Sequence, residues 1–598
     1  MRLELNELST DVLVVGGGSA GAIAAIKAHM AGADTLVVTK GPWPSGNSTK
    51  AFAGYAAAFG HADPRDNPDV HFADVVRNGI GLCNQKLVRK WVNTICALTD
   101  EMSGWGLDLI RDGDKYHQIP WEGHTYPRMV NHHRVTGKYL MKCLADRSEA
   151  LGIRALSHTI VGGLMKSRGR IAGAWAVDYR SGQVHVIRSK AVILSTGGLG
   201  ALYPLGDNVG AVTGEGYAAA YEAGAELIGM EFGHFLPTPI YPEKMRGKFV
   251  FVGFINGLLN ESQARLYNGR GERFMYRYFP ESGEKRHSSE ELTRCIAQEI
   301  VEGRGGAHGG IYFDISEVPA DFRSRERYER IYELADRAGM DLRSEPIELV
   351  TYPHDLVGGI KIDEFGRTNV PGLYAAGEAA GGSHGASRFG GSALSDCLVF
   401  GAASGEHAAA SSRSFAEHQP FDKSEVIAVK DRLSCWLGRE GIDPSEVLRE
   451  TRRIAFQHLN MVRTESGLRA ALAQTDQLRS DVLPRLSVRA DETREIASRM
   501  RQAIEAEGQA QLCALMARAA LEREESRGGF FGGHYRTDYP DRDDRNWLKN
   551  VVLRKDNGVL AIRHEPPVEL EDLSEQIHAV IATAWKAPED AAHFAQSE

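Results

Sequence analysis

The chain has 598 residues, of which 42% are hydrophobic and 25% charged, with a formal net charge of −9. That length exceeds what one core supports, so roughly two to four domains are expected, and an acidic balance without a dominant basic face argues against nucleic acid as the main partner. No apolar run approaches the ~18 residues of a membrane span, and seven cysteines scattered without any C-x-x-C exclude a zinc ribbon or a cysteine-ligated iron–sulfur cluster.

The unpatterned cysteines read as reduced thiols, and the N-terminus reaches its first strand by Asp11 without a signal-type apolar segment, so a cytoplasmic protein is expected. Asp11–Val15 is a short continuous apolar run, the pattern of a buried parallel strand. Gly16-Gly17-Gly18-Ser19-Ala20-Gly21 follows, then an alanine-rich helix to about Ala31. Gly16, Gly18 and Gly21 fit G-x-G-x-x-G between strand and helix, the context in which that motif binds a dinucleotide. The second strand, Thr35–Val38, ends in Thr39 and Lys40 where an NAD-binding chain would carry an acid.

A small-residue loop occupies 41–60, amphipathic helix covers much of 66–112, and a helix begins at Thr136-Gly137 and ends near Gly152. Strand-like pieces across 153–195 lead to Thr196-Gly197-Gly198, and Thr213-Gly214-Glu215-Gly216 opens another helix. From Ala225 to about Val350 the βα regularity disappears, so an inserted domain is placed there. The regularity returns at Gly358–Ile362 and leads into 372–396, where Gly377, Gly381, Gly382, Gly385, Gly390 and Gly391 surround His384 and Arg388 ahead of an apolar helix. Glycine at this density lets backbone approach a flat or phosphorylated ligand. Residues 424–439, 444–459, 464–482 and 490–522 carry helical apolar spacing, and a short strand-rich tail ends in a polar stretch, 589–598, expected to fray.

Taken in order, these pieces resemble the flavoprotein family of fumarate reductase, succinate dehydrogenase and L-aspartate oxidase. The likeness is carried by the GGGSAG run, Thr196-Gly197-Gly198, Thr213–Gly216, Gly271-Glu272-Arg273-Phe274, His354–Gly359, Gly372–Glu378, His384–Arg388, Glu525–Gly528 and Asp541–Trp547. The resemblance implies an α/β fold: a two-piece Rossmann-like FAD-binding domain (1–225 and 350–415), an inserted α+β capping domain (226–349), a C-terminal helical bundle (424–535) and a tail (536–598). It implies that Gly16, Gly18, Ser19 and Gly21 lie under the FAD pyrophosphate, and that Thr39 and Lys40 replace the missing acid. Ser48, Thr49, Thr196, Gly197, Glu215 and Glu378 are further cofactor contacts on this reading. Ser392, Ala393 and Leu394 bring a helix N-terminus to the flavin edge. Ser48 stands where respiratory members carry a flavin-linked histidine, so non-covalent FAD is expected; no metal site is.

The same resemblance makes Arg273 the proton donor and His354 with Arg388 the clamp of a substrate carboxylate, a role suited to the guanidinium fork. The second clamp departs from the family, because Leu236 occupies the position of its histidine and the following Thr-Glu pair is not recognisable in 245–260. His234 is read as pointing to the other side of its strand. The expectation is hydride transfer at a C–C or C=C bond of an organic acid other than a simple C4 dicarboxylate. An L-aspartate-oxidase-like enzyme, or the flavin subunit of an adenylylsulfate-reductase-like complex, stands as the alternative. With no cluster cysteines of its own the chain needs an electron acceptor: a separate iron–sulfur or ferredoxin-like partner, O2 or a quinone, with O2 or fumarate serving the aspartate-oxidase-like reading. A non-catalytic FAD-binding scaffold is the remaining reading.

Overall fold

The computed structural model describes residues 5–582 apart from 134, 247–251, 338, 343, 345–346, 422, 490–492 and 530–531. The polar tail 589–598 and part of the 245–260 stretch therefore lie outside the described residues. The first sheet is ordered Arg154–Leu156, Thr35–Val38, Leu5–Val15, Val184–Leu194, Arg170–Asp178 and Thr159–Ser167, with Leu373–Ala375 also paired to Val184–Leu194. Its central members are parallel, with Val15 opposite Leu194 and Leu194 opposite Ala375. Val12, Leu13 and Val14 are fully buried there, as a strand covered on both faces must be. A strand from beyond residue 370 thus completes a sheet begun at residue 5.

The same sheet is covered by helices Ser19–Met30 and Ser392–Ser412, which run close together. The lack of a side chain permits that spacing: a Cβ on Gly405 would stand 2.3 Å from the Ala24 carbonyl oxygen. The alanine-rich helix and the glycine opposite it therefore make one close-packed seam.

A second large sheet is ordered Arg265–Tyr267, Ile311–Asp314, Ile347–Leu356, Gly233–Tyr241, Gly532–Arg536 and Val462–Arg463. Its last two strands come from the C-terminal region, so strand Gly233–Tyr241 shares its sheet with residues more than 200 positions away. Another sheet joins Leu227–Ile228 and Gly359–Lys361 to the hairpin Asn550–Asp556 and Val559–Glu565. The C-terminal helices are Lys423–Trp436, Pro444–His458, Glu465–Gln477 and Thr493–Glu522.

Charged residues lock these parts together. Arg523 Nε donates to Glu231 at 2.8 Å and its Nη1 to Glu525 at 2.8 Å, while Arg527 Nε donates to Glu525 at 2.6 Å. All four side chains are fully buried. Removing one partner of such a chain leaves an uncompensated internal charge, a loss of about 3–5 kcal/mol. The Glu525-Ser526-Arg527-Gly528 motif thus fixes the strand that begins two residues after Glu231.

Candidate active site

A cleft enclosing about 760 Å³, open solvent at its mouth included, runs over the C-terminal ends of the parallel strands. Ten of the residues expected at the cofactor line it: Gly16, Gly18, Ser19, Thr39, Lys40, Ser48, Thr196, Gly197, Glu215 and Glu378. Gly16 has φ +118°, and a Cβ there would meet the Ser195 carbonyl oxygen at 2.1 Å. The tight turn after the first strand therefore admits glycine alone. Gly21 lies behind the lining and lets its helix approach the Gly16 carbonyl oxygen. Thr49 donates to the Gly46 carbonyl oxygen at 2.8 Å and braces the loop instead of lining the cleft. Ser392 and Leu394 are buried at the start of helix Ser392–Ser412 and are likewise absent from the lining.

Two observations test whether the cleft fits a polar cofactor. The hydroxyls of Thr196, in the lining, and Ser392, at the helix start, are buried without a hydrogen-bond partner; such orphans are rare and mark a missing acceptor or donor. The lining also combines turn N–H groups with a helix N-terminus, the arrangement that holds phosphate. Both fit FAD. Ser48 accepts from the Ser19 backbone N–H at 3.1 Å and lies 2.9 Å from the Ser19 hydroxyl, and no histidine is among the described residues lining the cleft.

Lys40 is buried and ion-paired to Glu215 at 3.0 Å and Glu505 at 3.2 Å, and it donates to Thr213. Burial works against its charge, but the two carboxylates outweigh this and hold the ammonium above its ordinary range. Glu505 comes from helix Thr493–Glu522, and no short-range pattern in the sequence announces it. Burial and the neighbouring Asp355 push the Glu378 carboxyl up to about 7.

Beyond Glu378, which accepts from the Leu356 N–H at 3.3 Å, lies a cluster of ionisable side chains. His354 and Asp355 are consecutive on strand Ile347–Leu356. Opposite them, His234 pairs with Asp355 but Phe235 pairs with Pro353, so His354 is the extra residue of a bulge. A bulge re-aims side chains, which lets two neighbouring residues serve one site. His234 Nδ1 lies 2.8 Å from Asp355 Oδ1, Arg388 Nε donates to Asp355 Oδ2, and the rings of His234 and His354 stand perpendicular with centroids 5.1 Å apart.

This corrects the expectation for His234. Residues two apart along a strand share a face, so His234 belongs on the side of Leu236, and the bulge then turns His354 toward it. Asp355 was not singled out in the sequence at all. It lies well below the ordinary carboxylate range: burial opposes this, but Arg388 and His234 outweigh it. His234 itself is pushed down to about 4, chiefly by burial.

Arg273 follows strand Arg265–Tyr267 and donates from Nε and Nη2, one edge of its guanidinium, to the two Glu284 carboxylate oxygens at 2.9 and 2.7 Å. Its side chain is 39% exposed. The hydrogen bonds of Arg273 thus run within its own segment, whereas His354, Arg388, His234 and Asp355 are joined to one another.

The comparisons with known proteins agree with this geometry. A family profile described as FAD binding domain matches residues 11–394, and one described as fumarate reductase flavoprotein C-term matches 449–580. The chain is 34% identical to a subunit of the fumarate reductase (CoM/CoB) of Methanothermobacter marburgensis, covering 93% of this chain and 98% of that protein. It is 30% identical to an L-aspartate oxidase of Streptomyces coelicolor, covering 92% of each. Among solved structures it superposes on Mycobacterium smegmatis Sdh1 in complex with UQ1 with a TM-score of 0.85 at 29% identity, covering 95% of each chain. Among the described residues no helix is long and apolar enough to cross a membrane.

Proposed function

Since the chain belongs to the FAD-dependent flavoprotein family of fumarate reductase, succinate dehydrogenase and L-aspartate oxidase, and is an FAD-dependent oxidoreductase, we propose that it acts on the C–C or C=C bond next to a single clamped carboxylate. Bound FAD supplies the hydride chemistry. His354 and Arg388 would hold the carboxylate, with the Arg388 Nη2 edge, which keeps no hydrogen bond among the described residues, directed to it. Arg273 would serve as the proton donor on this reading, released from Glu284 when substrate is bound.

One observation carries the substrate class. Both clamp cations already have an internal counter-charge, Asp355 for Arg388 and Asp207 for His354. Those two cations are taken up by the first carboxylate and the aspartates, so a second would meet Leu236, which offers it neither charge nor hydrogen bond, and burying an unpaired carboxylate costs several kcal/mol, about 3 or more. A C4 dicarboxylate is therefore disfavoured. The same two aspartates favour a second reading, an amino-acid substrate whose ammonium pairs with a carboxylate, as the likeness to L-aspartate oxidase would fit. In both readings the electrons pass to a separate carrier protein, a role that the methanogen relative's being one subunit of its enzyme supports.

The test is anaerobic flavin spectroscopy of the purified protein. Monocarboxylic acids are expected to bleach the oxidised flavin, or their enoates to reoxidise the reduced one, with succinate and fumarate inert. Bleaching by aspartate would select the second reading. Turnover with succinate or fumarate would overturn both.

A further inference from the structure

His354 is gripped at two points by a loop that none of the sequence motifs covers. Asp207 and Asn208 lie between the turn at Gly200–Leu202 and the helix that starts at Glu215. Asn208 Nδ2 donates to the His354 carbonyl oxygen at 2.8 Å. Asp207 Oδ2 accepts from His354 Nδ1 at 2.6 Å. The loop is itself anchored on the cofactor side, because Asn47, a neighbour of Ser48, bonds to the Asn208 side chain and accepts from the Val209 N–H at 2.8 Å. Backbone and ring of His354 are thereby fixed together, with Nδ1 committed to the carboxylate and Nε2 left as the outward donor.

The other groups facing the ring reinforce the assignment. Arg388 would repel a charged imidazole, but its charge is balanced by Asp355 on the same strand as His354. His234, the perpendicular ring, is held neutral by burial. Asp207 is thus the hydrogen-bonded anion of His354, and both side chains keep about a third of their surface exposed, 34% and 36%, so the pair opens onto accessible space. Burial works against a charge on His354, yet the Asp207 carboxylate outweighs it and moves the imidazole above its ordinary value.

We propose that Asp207 is a positioning residue that keeps His354 as an imidazolium, with Nε2–H aimed at the substrate oxygen on which negative charge gathers during the reaction. This rests on the carboxylate reading above. A charged donor there is worth more than a neutral one, because the interaction strengthens as the oxygen becomes more anionic. His354 stays protonated throughout, so no bond to its proton is broken. Its positive charge is the function, and the raised value sets the direction: the charge is present at low pH and is lost as pH rises through that value.

Asp207→Asn removes the charge while keeping an oxygen that accepts from Nδ1, so it separates electrostatics from hydrogen bonding. FAD-loaded protein and variant would be exposed to diethyl pyrocarbonate across a pH series, and modification of the His354 peptide followed by mass spectrometry. The wild-type midpoint is expected above the ordinary imidazole value of about 6.5, and the variant midpoint at least about one unit lower. Crotonate, a one-carboxylate enoate, would be titrated in parallel through the flavin difference spectrum. Its affinity is expected to fall about tenfold in Asp207→Asn at neutral pH, to recover at lower pH where the imidazole recharges, and to be restored in Asp207→Glu. Equal modification midpoints overturn the proposal, as does crotonate affinity that ignores both pH and the substitution. Failure of crotonate to bind either protein overturns the carboxylate reading and the substrate half of the proposal, while the midpoints still decide whether Asp207 charges His354.

Discussion

Around the cleft proposed for the cofactor, the lining is built largely from turns and a helix start, and Gly16, Gly18 and Gly197 bring backbone to it. At the proposed substrate end the reverse holds. His234, Asp355, Arg388, His354 and Asp207 hold one another across two strands and two loops, and each is positioned by another side chain. Backbone-built recognition depends on local conformation, which a handful of consecutive residues dictates. Side-chain recognition depends on which distant segments meet, so single substitutions can retune it without disturbing the fold. That difference would let one scaffold keep its cofactor while its substrate end changes.

The most direct way to break this comparison belongs to the cleft. Gly16→Ala combines a positive φ, costing about 1–3 kcal/mol, with a Cβ 2.1 Å from the Ser195 carbonyl oxygen. Flavin content per polypeptide should fall at least about tenfold, a loss of about 1.4 kcal/mol or more in binding. Flavin released by acid precipitation of the wild type provides the reference, and its release is itself expected from Ser48. A Gly16→Ala protein with full flavin content would show that backbone approach is not what holds the cofactor.

The next effect sharpens the other side. Arg388→Leu strands the buried Asp355 and should cost about 3–5 kcal/mol of stability, measured by urea unfolding. Arg388→Leu with Asp355→Leu should recover most of that loss, because both charges leave together. Simple additivity of the two single variants would mean that the pair is not coupled and that the substrate end is held by its backbone after all.

What the sequence reveals follows the same division. The first strand, the glycine turn, the helix after it and the returning strand at 373–375 are legible because each is announced by consecutive residues. The C-terminal helices are legible from their periodicity, and His354 and Arg388 from the motifs around them. Asp207, Asp355 and Glu505 are not, since each matters only through a partner supplied by another segment. The hairpin at 550–565 and strand 532–536 joining sheets of the earlier domains are equally hidden, because strand pairing is long-range. His234 was recoverable: the two-residue period of a strand places it beside Leu236, and only the bulge at His354 needed the structure.

The smallest effect separates the two regions by the sign of their pH dependence. Asp355, at the side-chain-built end, has a carboxyl depressed below its ordinary 3.8, so the stability it contributes is present above that value and is lost as pH falls toward the folded one. Glu378, in the cleft, is raised from 4.5 to about 7. Between those values the native state keeps a proton that the unfolded chain has released, so FAD-free protein should lose stability as pH rises from about 4.5 to about 7. Glu378→Gln removes the titrating group and should flatten that slope without altering the acid limb, whereas Asp355→Asn should weaken the acid limb and, by removing the neighbouring charge that helps raise Glu378, shorten the slope without abolishing it. Urea midpoints of the three proteins across the range decide it. If Glu378→Gln keeps the wild-type slope, the Glu378 carboxyl is already ionised, and the cleft tolerates a buried charge as readily as the substrate end does.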